Sequence, residues 1–111
     1  MIFVTGPLFS GKEEYIRTAL GWDDELFRRN AVRDVNELAA GAEDLAVLAD
    51  SLAKYEVIIS TEIGGGVVPV DSEQRAARER AGRLSCLLAE RADTVIRVCC
   101  GLPQILKGEL R

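Results

Sequence analysis

The residues best suited to chemistry lie near the start of the chain, in Gly6-Pro-Leu-Phe-Ser-Gly-Lys12. Two glycines separated by four residues and followed by lysine are typical of a phosphate-binding loop, whose successive backbone N–H groups surround a phosphate. The lysine reaches the outer phosphates, and the positive end of the next helix adds to the attraction. We therefore predict binding of a nucleoside triphosphate, ATP or GTP. The predicted ligand-binding residues are Gly6, Pro7, Leu8, Phe9, Ser10, Gly11, Lys12 and Glu13.

The residue after the lysine departs from the usual motif. Ser or Thr at this position would place a hydroxyl on Mg²⁺, but this chain has Glu13. A carboxylate here keeps the backbone cradle and adds negative charge near the metal and the phosphates. Glu13 is therefore a candidate magnesium ligand, and it is also the reason to question whether a bound nucleotide reacts.

The elements around the loop are those that the motif requires. Residues 1–5 form a short β-branched and aromatic run, as expected of a buried parallel strand. Lys12–Leu20 has the periodicity of a helix with Ile16, Ala19 and Leu20 on one face. Strand, glycine loop and helix in this order favour a true phosphate loop over a chance turn.

Strands and helices alternate along the rest of the chain, which indicates parallel pairing with right-handed crossovers. The further predicted elements are a helix over Asp44–Ala53, a strand over Glu56–Ser60, a helix over Glu73–Ala92, a strand over Thr94–Cys99, and a turn at Gly101–Pro103 with a short tail. Segment 22–36 leaves two alternatives open, an edge strand over Asn30–Val35 or a helix that continues through Leu38. The predicted fold class is α/β, with a small parallel sheet of about four strands and flanking helices.

Composition limits the possible functions. With 111 residues, 48% of them hydrophobic, the whole chain (1–111) is predicted to be a single nucleotide-binding domain. A net charge of −4 without a basic run argues against nucleic-acid or anionic-membrane partners. No apolar stretch approaches the about 20 residues that span a bilayer, and the start lacks signal-peptide features. We expect a soluble, cytoplasmic protein.

The three cysteines, Cys86, Cys99 and Cys100, lack metal-ligand spacing, and the sequence contains no histidine. We predict that they are small buried apolar residues in a reducing compartment.

The second half of the nucleotide site is expected where the other strands end, because ligands of open α/β sheets bind beyond the carboxyl ends of strands. Glu62 follows the strand around Ile59 and could hold Mg²⁺ directly or through water, although a solvated loop acid is the alternative. Lys12 and Glu62 are thus the candidate catalytic residues. Gly64 is a further candidate nucleotide contact, and the Gly101 turn should lie at the same edge.

Four further segments, taken in order, resemble the adenosylcobinamide kinase / adenosylcobinamide-phosphate guanylyltransferase family of cobalamin biosynthesis. They are Val57-Ile-Ile-Ser-Thr-Glu-Ile-Gly-Gly-Gly-Val-Val-Pro69, Arg75-x-x-Arg78-Glu-x-Ala-Gly-Arg83, Leu88-Ala-x-x-Ala92-Asp-x-Val95 and Gly101-Leu-Pro-x-x-Leu-Lys107. With the phosphate loop, they cover about two thirds of the chain. The resemblance implies a RecA-like P-loop NTPase fold and a homotrimer. It also implies phosphorylation of the aminopropanol hydroxyl of adenosylcobinamide, a corrinoid, and then transfer of GMP through a guanylylated histidine.

The departures from this family change the expected function. The family has Ser or Thr at Glu13 and Asn at Thr61 and Ser85, and this chain is shorter between its first helix and Asp44. The family's guanylyl-accepting histidine belongs to that shortened region, and the chain has no histidine at all. We therefore predict loss of guanylyltransferase activity.

Two functions remain open at this stage. One is a reduced kinase in which the loop and Lys12 hold the triphosphate and the acids position Mg²⁺. The other is a non-catalytic relative that binds a nucleotide or corrinoid and acts in regulation or assembly.

Overall fold

The structure, a computed structural model, describes residues 1–62 and 71–110. Within those residues the chain forms five strands, four α-helices and a 3₁₀ turn at Val35–Leu38. The strands are β1 (Ile2–Gly6), β2 (Ala31–Val32), β3 (Val57–Thr61), β4 (Thr94–Cys99) and β5 (Leu102–Lys107). The helices are α1 (Lys12–Leu20), α2 (Asp24–Asn30), α3 (Leu45–Leu52) and α4 (Ser72–Arg91).

These strands form one sheet in the order β2-β3-β1-β4-β5. The central strand β1 pairs in parallel with β3 and β4, so that Phe3 lies opposite Ile58 and Val95. β2 pairs in parallel with β3, whereas β5 runs antiparallel to β4 at the edge. The predicted α/β class with flanking helices is confirmed, although the sheet has five strands where about four parallel strands were predicted, and β5 is antiparallel.

The antiparallel edge strand β5 differs from the predicted turn and tail. Cys99 pairs with Leu102, which leaves Cys100 and Gly101 as a two-residue hairpin loop. Their φ angles of 55° and 74° are positive, as a type I′ turn requires, but Cys is an uncommon residue at such a position. Pro103 also argues against a strand, and it is tolerated here because β5 lies at the edge.

The core has one layer on each face of the sheet, because successive strand side chains point to opposite faces. On one face, Phe3 and Ile58 pack with buried leucines of α3 and α4. On the other face, Val4 and Ile59 pack with Ile16 of α1 and Phe27 of α2. The sheet thus carries α1, which follows the phosphate loop, on the face opposite α4.

The helix predictions agree with the structure in type and nearly in extent. α1 has the predicted bounds and buries Ile16, although Ala19 is exposed. In segment 22–36 the helix that would continue through Leu38 is wrong, because α2 ends at Asn30. The strand alternative is correct only for the two residues of β2. α3 and α4 begin after Asp44 and Asp71, whose carboxylates accept hydrogen bonds from amides of the first turn.

The predicted burial of the cysteines is wrong. Cys86, Cys99 and Cys100 are all exposed and free. Cys86 lies on the solvent side of α4, away from the buried Leu84 and Leu88, and the other two form the end of the β4–β5 hairpin.

No helix within residues 1–62 and 71–110 combines the length and apolar character that crossing a membrane requires.

Candidate functional site: a phosphate loop with two arginine–glutamate pairs

The first glycine of the loop lies where no side chain fits. Gly6 ends β1, and a Cβ atom placed on it would lie 2.2 Å from the Val98 carbonyl oxygen and 2.8 Å from Ser10 Oγ. Real Cβ atoms essentially never approach another atom within 3.0 Å. The close contact between the loop and β4 therefore requires glycine at position 6.

Ser10 closes the loop and connects it to the β4–β5 hairpin. Its backbone N–H donates to the Pro7 carbonyl at 3.2 Å, and its own carbonyl accepts from Gly101 N–H at 2.7 Å. The Gly101 turn thus lies at the phosphate loop, as its place after the last parallel strand predicted. Ser10 Oγ is buried and has no hydrogen-bond partner among the described residues. Since an unpaired buried polar group costs about 1–3 kcal/mol, this hydroxyl is suited to a bound phosphate.

Lys12 begins α1 and lies inside the loop. Its side chain is only 8% exposed, and Nζ donates to the Pro7 carbonyl at 3.1 Å. Within residues 1–62 and 71–110, no carboxylate lies within ion-pair distance of Nζ. A buried ammonium group without a carboxylate partner is energetically costly, so an anion is its favourable partner.

Beside Lys12 the structure has an open cavity of about 350 Å³. It is bounded by Phe9, Ser10 and Gly11 of the loop, and by Arg33 and Asp34 beyond β2. The loop contributes an exposed aromatic ring here, since Phe9 is 94% exposed and has a left-handed φ of 60°. The cavity therefore combines two cations and three carboxylates with a buried hydroxyl and an aromatic surface.

Glu13 forms an ion pair in this cavity. Arg33 Nη1 donates to Glu13 Oε1 at 2.8 Å, and the guanidinium lies 5.8 Å from the centroid of the Phe27 ring. The Glu13 side chain is 35% exposed and the Arg33 side chain is 61% exposed. Exposed pairs of this kind contribute only about 0–1 kcal/mol to stability.

Glu62 also pairs with an arginine. Its backbone N–H donates to the Gly6 carbonyl at 2.8 Å, which places it next to the loop. Arg97 Nε donates to both Glu62 carboxylate oxygens, at 2.8 and 3.1 Å. These hydrogen bonds, together with the carboxylate charge, raise the pKa of Arg97 above its usual value.

Neither arginine was predicted from the sequence as a site residue. Arg97 interrupts an otherwise apolar strand, and Arg33 follows the short strand β2 at the edge where strands end. Either position could have suggested a site residue. Their partners, however, are 20 and 35 residues away in sequence, beyond what local spacing reveals.

The loop residues and Glu62 are therefore brought together, whereas Gly64 lies outside the described residues. Leu8 is exposed on the loop and lines no part of the cavity. The ligand-binding and catalytic roles assigned to all these residues stay predictions.

Comparison with known proteins identifies the family. A family model described as cobinamide kinase / cobinamide phosphate guanyltransferase matches residues 17–106, well over half of the chain. The chain belongs to this family. The matched range begins after Lys12, so the phosphate loop is an observation separate from the match. As a member of the cobinamide kinase / cobinamide phosphate guanyltransferase family, the chain has the P-loop NTPase fold predicted above.

A curated relative supports the same family. Over 76 residues the chain is 42% identical to the bifunctional adenosylcobalamin biosynthesis protein CobP of Pseudomonas aeruginosa. The alignment covers 68% of this chain but 44% of that protein, so the chain spans less than half of this relative's length.

The residues present do not fit a magnesium ion in the arrangement described. The hydroxyl expected after Lys12 is replaced by Glu13, which is bound to Arg33. Both oxygens of Glu62 are bound to Arg97. Each acid is paired with an arginine, Glu13 through Oε1 alone, and no three His, Cys, Asp or Glu side chains within residues 1–62 and 71–110 could share a metal. Glu13 and Glu62 as metal ligands therefore stay a prediction for a state in which both ion pairs are open.

Proposed function

We propose that the chain is a phosphotransferase domain of the cobinamide kinase type, which binds ATP or GTP at its phosphate loop. It transfers the terminal phosphoryl group to the hydroxyl of a cobinamide-type corrinoid. The observation that carries the proposal is the buried Lys12, which lies inside the glycine loop without a carboxylate partner among the described residues. Membership of the family supplies the acceptor class.

In this reaction the acceptor hydroxyl oxygen forms a bond to the terminal phosphorus, and the bond from that phosphorus to the bridging oxygen breaks. The nucleoside diphosphate leaves with the bridging oxygen, and the hydroxyl proton passes to solvent. Catalysis of such a transfer consists mainly of positioning and charge neutralisation. The loop amides and Ser10 Oγ hold phosphate oxygens, while Lys12 neutralises charge on the outer phosphates. No step is assigned to a metal ion.

Guanylyl transfer is not part of the proposed activity. The corresponding step in the resembled family needs a histidine, and these 111 residues contain none. The chain therefore carries out only the kinase half of the pair of activities in the family's description.

A second candidate function is a non-catalytic nucleotide- or corrinoid-binding protein with a regulatory or assembly role. The observation that favours it is the pair of arginine–glutamate contacts, which occupy both acids expected to act on a metal. Such a protein would bind nucleotide through the same loop but would not turn it over.

Phosphate transfer from labelled ATP or GTP to adenosylcobinamide distinguishes the two functions. The kinase proposal predicts labelled adenosylcobinamide phosphate with the wild-type protein, and loss of product in Lys12→Ala. Lys54→Ala is the matched control, because it removes the same charge from an exposed position. Lys54 lies before the amino end of β3, whereas the phosphate loop follows the carboxyl end of β1. Nucleotide binding without product would favour the second candidate, and equal rates in both variants would contradict the role of Lys12.

We also propose that the chain assembles as a homo-oligomer, a trimer by family resemblance. Leu102, Ile105 and Leu106 on the edge strand β5 are 45–70% exposed, which supports burial of this strand in an assembly. Sedimentation velocity of the wild-type chain tests this, and a monomer at micromolar concentration would contradict it.

A further inference from the structure

We propose that Arg33 is a phosphate-binding residue, which leaves Glu13 when a polyphosphate enters the loop and allows it to bind without a divalent cation. The inference rests on the proposed function, because it concerns the phosphate loop that the kinase proposal uses. It adds a ligand group that the loop motif does not contain, and it removes the requirement for a divalent cation.

The position of Arg33 is the first argument. Its side chain lines the same cavity as Ser10 and Lys12, and it reaches that cavity from β2 rather than from the loop. The ring of Phe27 lies 5.8 Å from the guanidinium carbon and supports its orientation. A guanidinium presents two parallel N–H groups to phosphate oxygens, a geometry that a lysine lacks.

The charges in the cavity are the second argument. In a phosphate loop with Ser or Thr after the lysine, a magnesium ion supplies positive charge beside the phosphates. Here that position is Glu13, and Glu62 is held by Arg97. The cavity is lined by three carboxylates, Glu13, Glu14 and Asp34, and its cations are Lys12 and Arg33, which must offset their repulsion of a polyphosphate. Arg33 therefore supplies the charge that the metal supplies elsewhere.

The strength of the ion pair is the third argument. Arg33 is 61% exposed and Glu13 is 35% exposed, so their pairing is screened by water and contributes little to the fold. A triphosphate carries more negative charge than one carboxylate and accepts the guanidinium in a bidentate manner. Exchange of Glu13 for phosphate is thus favourable, while the freed carboxylate opposes binding by repulsion.

Calorimetric titration with ATP and with inorganic tripolyphosphate, each in EDTA and in Mg²⁺, tests the inference. We expect wild-type affinity in EDTA to lie within about threefold of that in Mg²⁺, and Arg33→Ala to weaken binding in EDTA about tenfold or more. Arg28→Ala, which removes the same charge outside the cavity, should change affinity less than about twofold. Glu13→Gln should tighten binding several-fold. Arg33→Lys should bind more tightly than Arg33→Ala but more weakly than the wild type.

The outcomes separate the inference from the proposed function. If EDTA abolishes binding and Arg33→Ala costs no more than Arg28→Ala, the inference is wrong, whereas Lys12-dependent binding of Mg²⁺-nucleotide would leave the kinase proposal intact. If neither ligand binds under either condition, both fail. Thermal melting of each variant verifies that the fold is retained, which is expected because the Arg33–Glu13 pair is exposed.

Discussion

Replacing Gly6 with alanine would place a methyl group between the phosphate loop and β4. The added carbon would lie 2.2 Å from the Val98 carbonyl oxygen, about 1 Å inside normal contact, and 2.8 Å from Ser10 Oγ. The Ser10 hydroxyl can rotate away, but the carbonyl belongs to a central strand and cannot. Overpacking of this kind costs about 1–3 kcal/mol, and contact with backbone places Gly6→Ala at about 3 kcal/mol.

The assay is denaturant unfolding of Gly6→Ala beside Gly82→Ala. Gly82 lies within α4, and a Cβ there would meet nothing within 4 Å. Alanine should stabilise that helix by about 0.5–1 kcal/mol, so the two variants should move in opposite directions. For a chain of this size, Gly6→Ala should lower the melting temperature by about 10 °C or more. Equal stability of Gly6→Ala and wild type would refute the close contact between loop and β4.

Three further predictions concern stability and accessibility. Phe9→Gly should raise the free energy of unfolding by about 1 kcal/mol, because Phe9 is exposed and has a φ of 60° that glycine adopts without strain. Urea unfolding measures this change, and destabilisation would contradict the prediction. Asp44→Ala should destabilise the protein by about 1 kcal/mol through loss of the N-cap of α3, whereas Asp44→Asn should retain most of that stability; an equal loss in both variants would count against capping. All three thiols, Cys86, Cys99 and Cys100, should react with a thiol reagent in the native protein; protection of any of them would contradict the exposed positions.

Much of the fold could be predicted because its signals are local. The strands β1, β3 and β4 are rich in β-branched residues, and each lies within one residue of its predicted bounds. α4 carries apolar residues at helical spacing, and Ala81, Leu84 and Leu88 are buried as that spacing implies. These patterns do not depend on distant parts of the chain.

The edge strands were harder to predict because tertiary contacts decide them. β2 has only two residues, too few for a period-2 pattern to emerge. β5 contains Pro103 and follows a hairpin loop with Cys100 at positive φ, two features that ordinarily argue against a strand. Its position depends on pairing with β4, which the local sequence does not encode strongly.

Only part of the site could be predicted, because some of its contacts join distant parts of the chain. The motif predicts the loop and its lysine. The parallel order of the strands predicts that the Gly101 turn lies beside Ser10. The partners of Glu13 and Glu62 do not, because side-chain pairing across 20 and 35 residues requires the folded geometry. Sequence reasoning treated these acids as metal ligands, whereas the structure has each of them bound to an arginine.

Equilibrium titration of the wild-type protein and Lys12→Ala with ATP and GTP, in Mg²⁺ and in EDTA, tests most directly whether the loop binds nucleotide through its lysine. A functional phosphate loop predicts saturable binding of at least one nucleotide by the wild type. It also predicts about a hundredfold weaker binding by Lys12→Ala, because the bound phosphates lose their buried cationic partner. Failure of both nucleotides to bind the wild type, or equal affinity in Lys12→Ala, would contradict a phosphate loop that acts through its lysine.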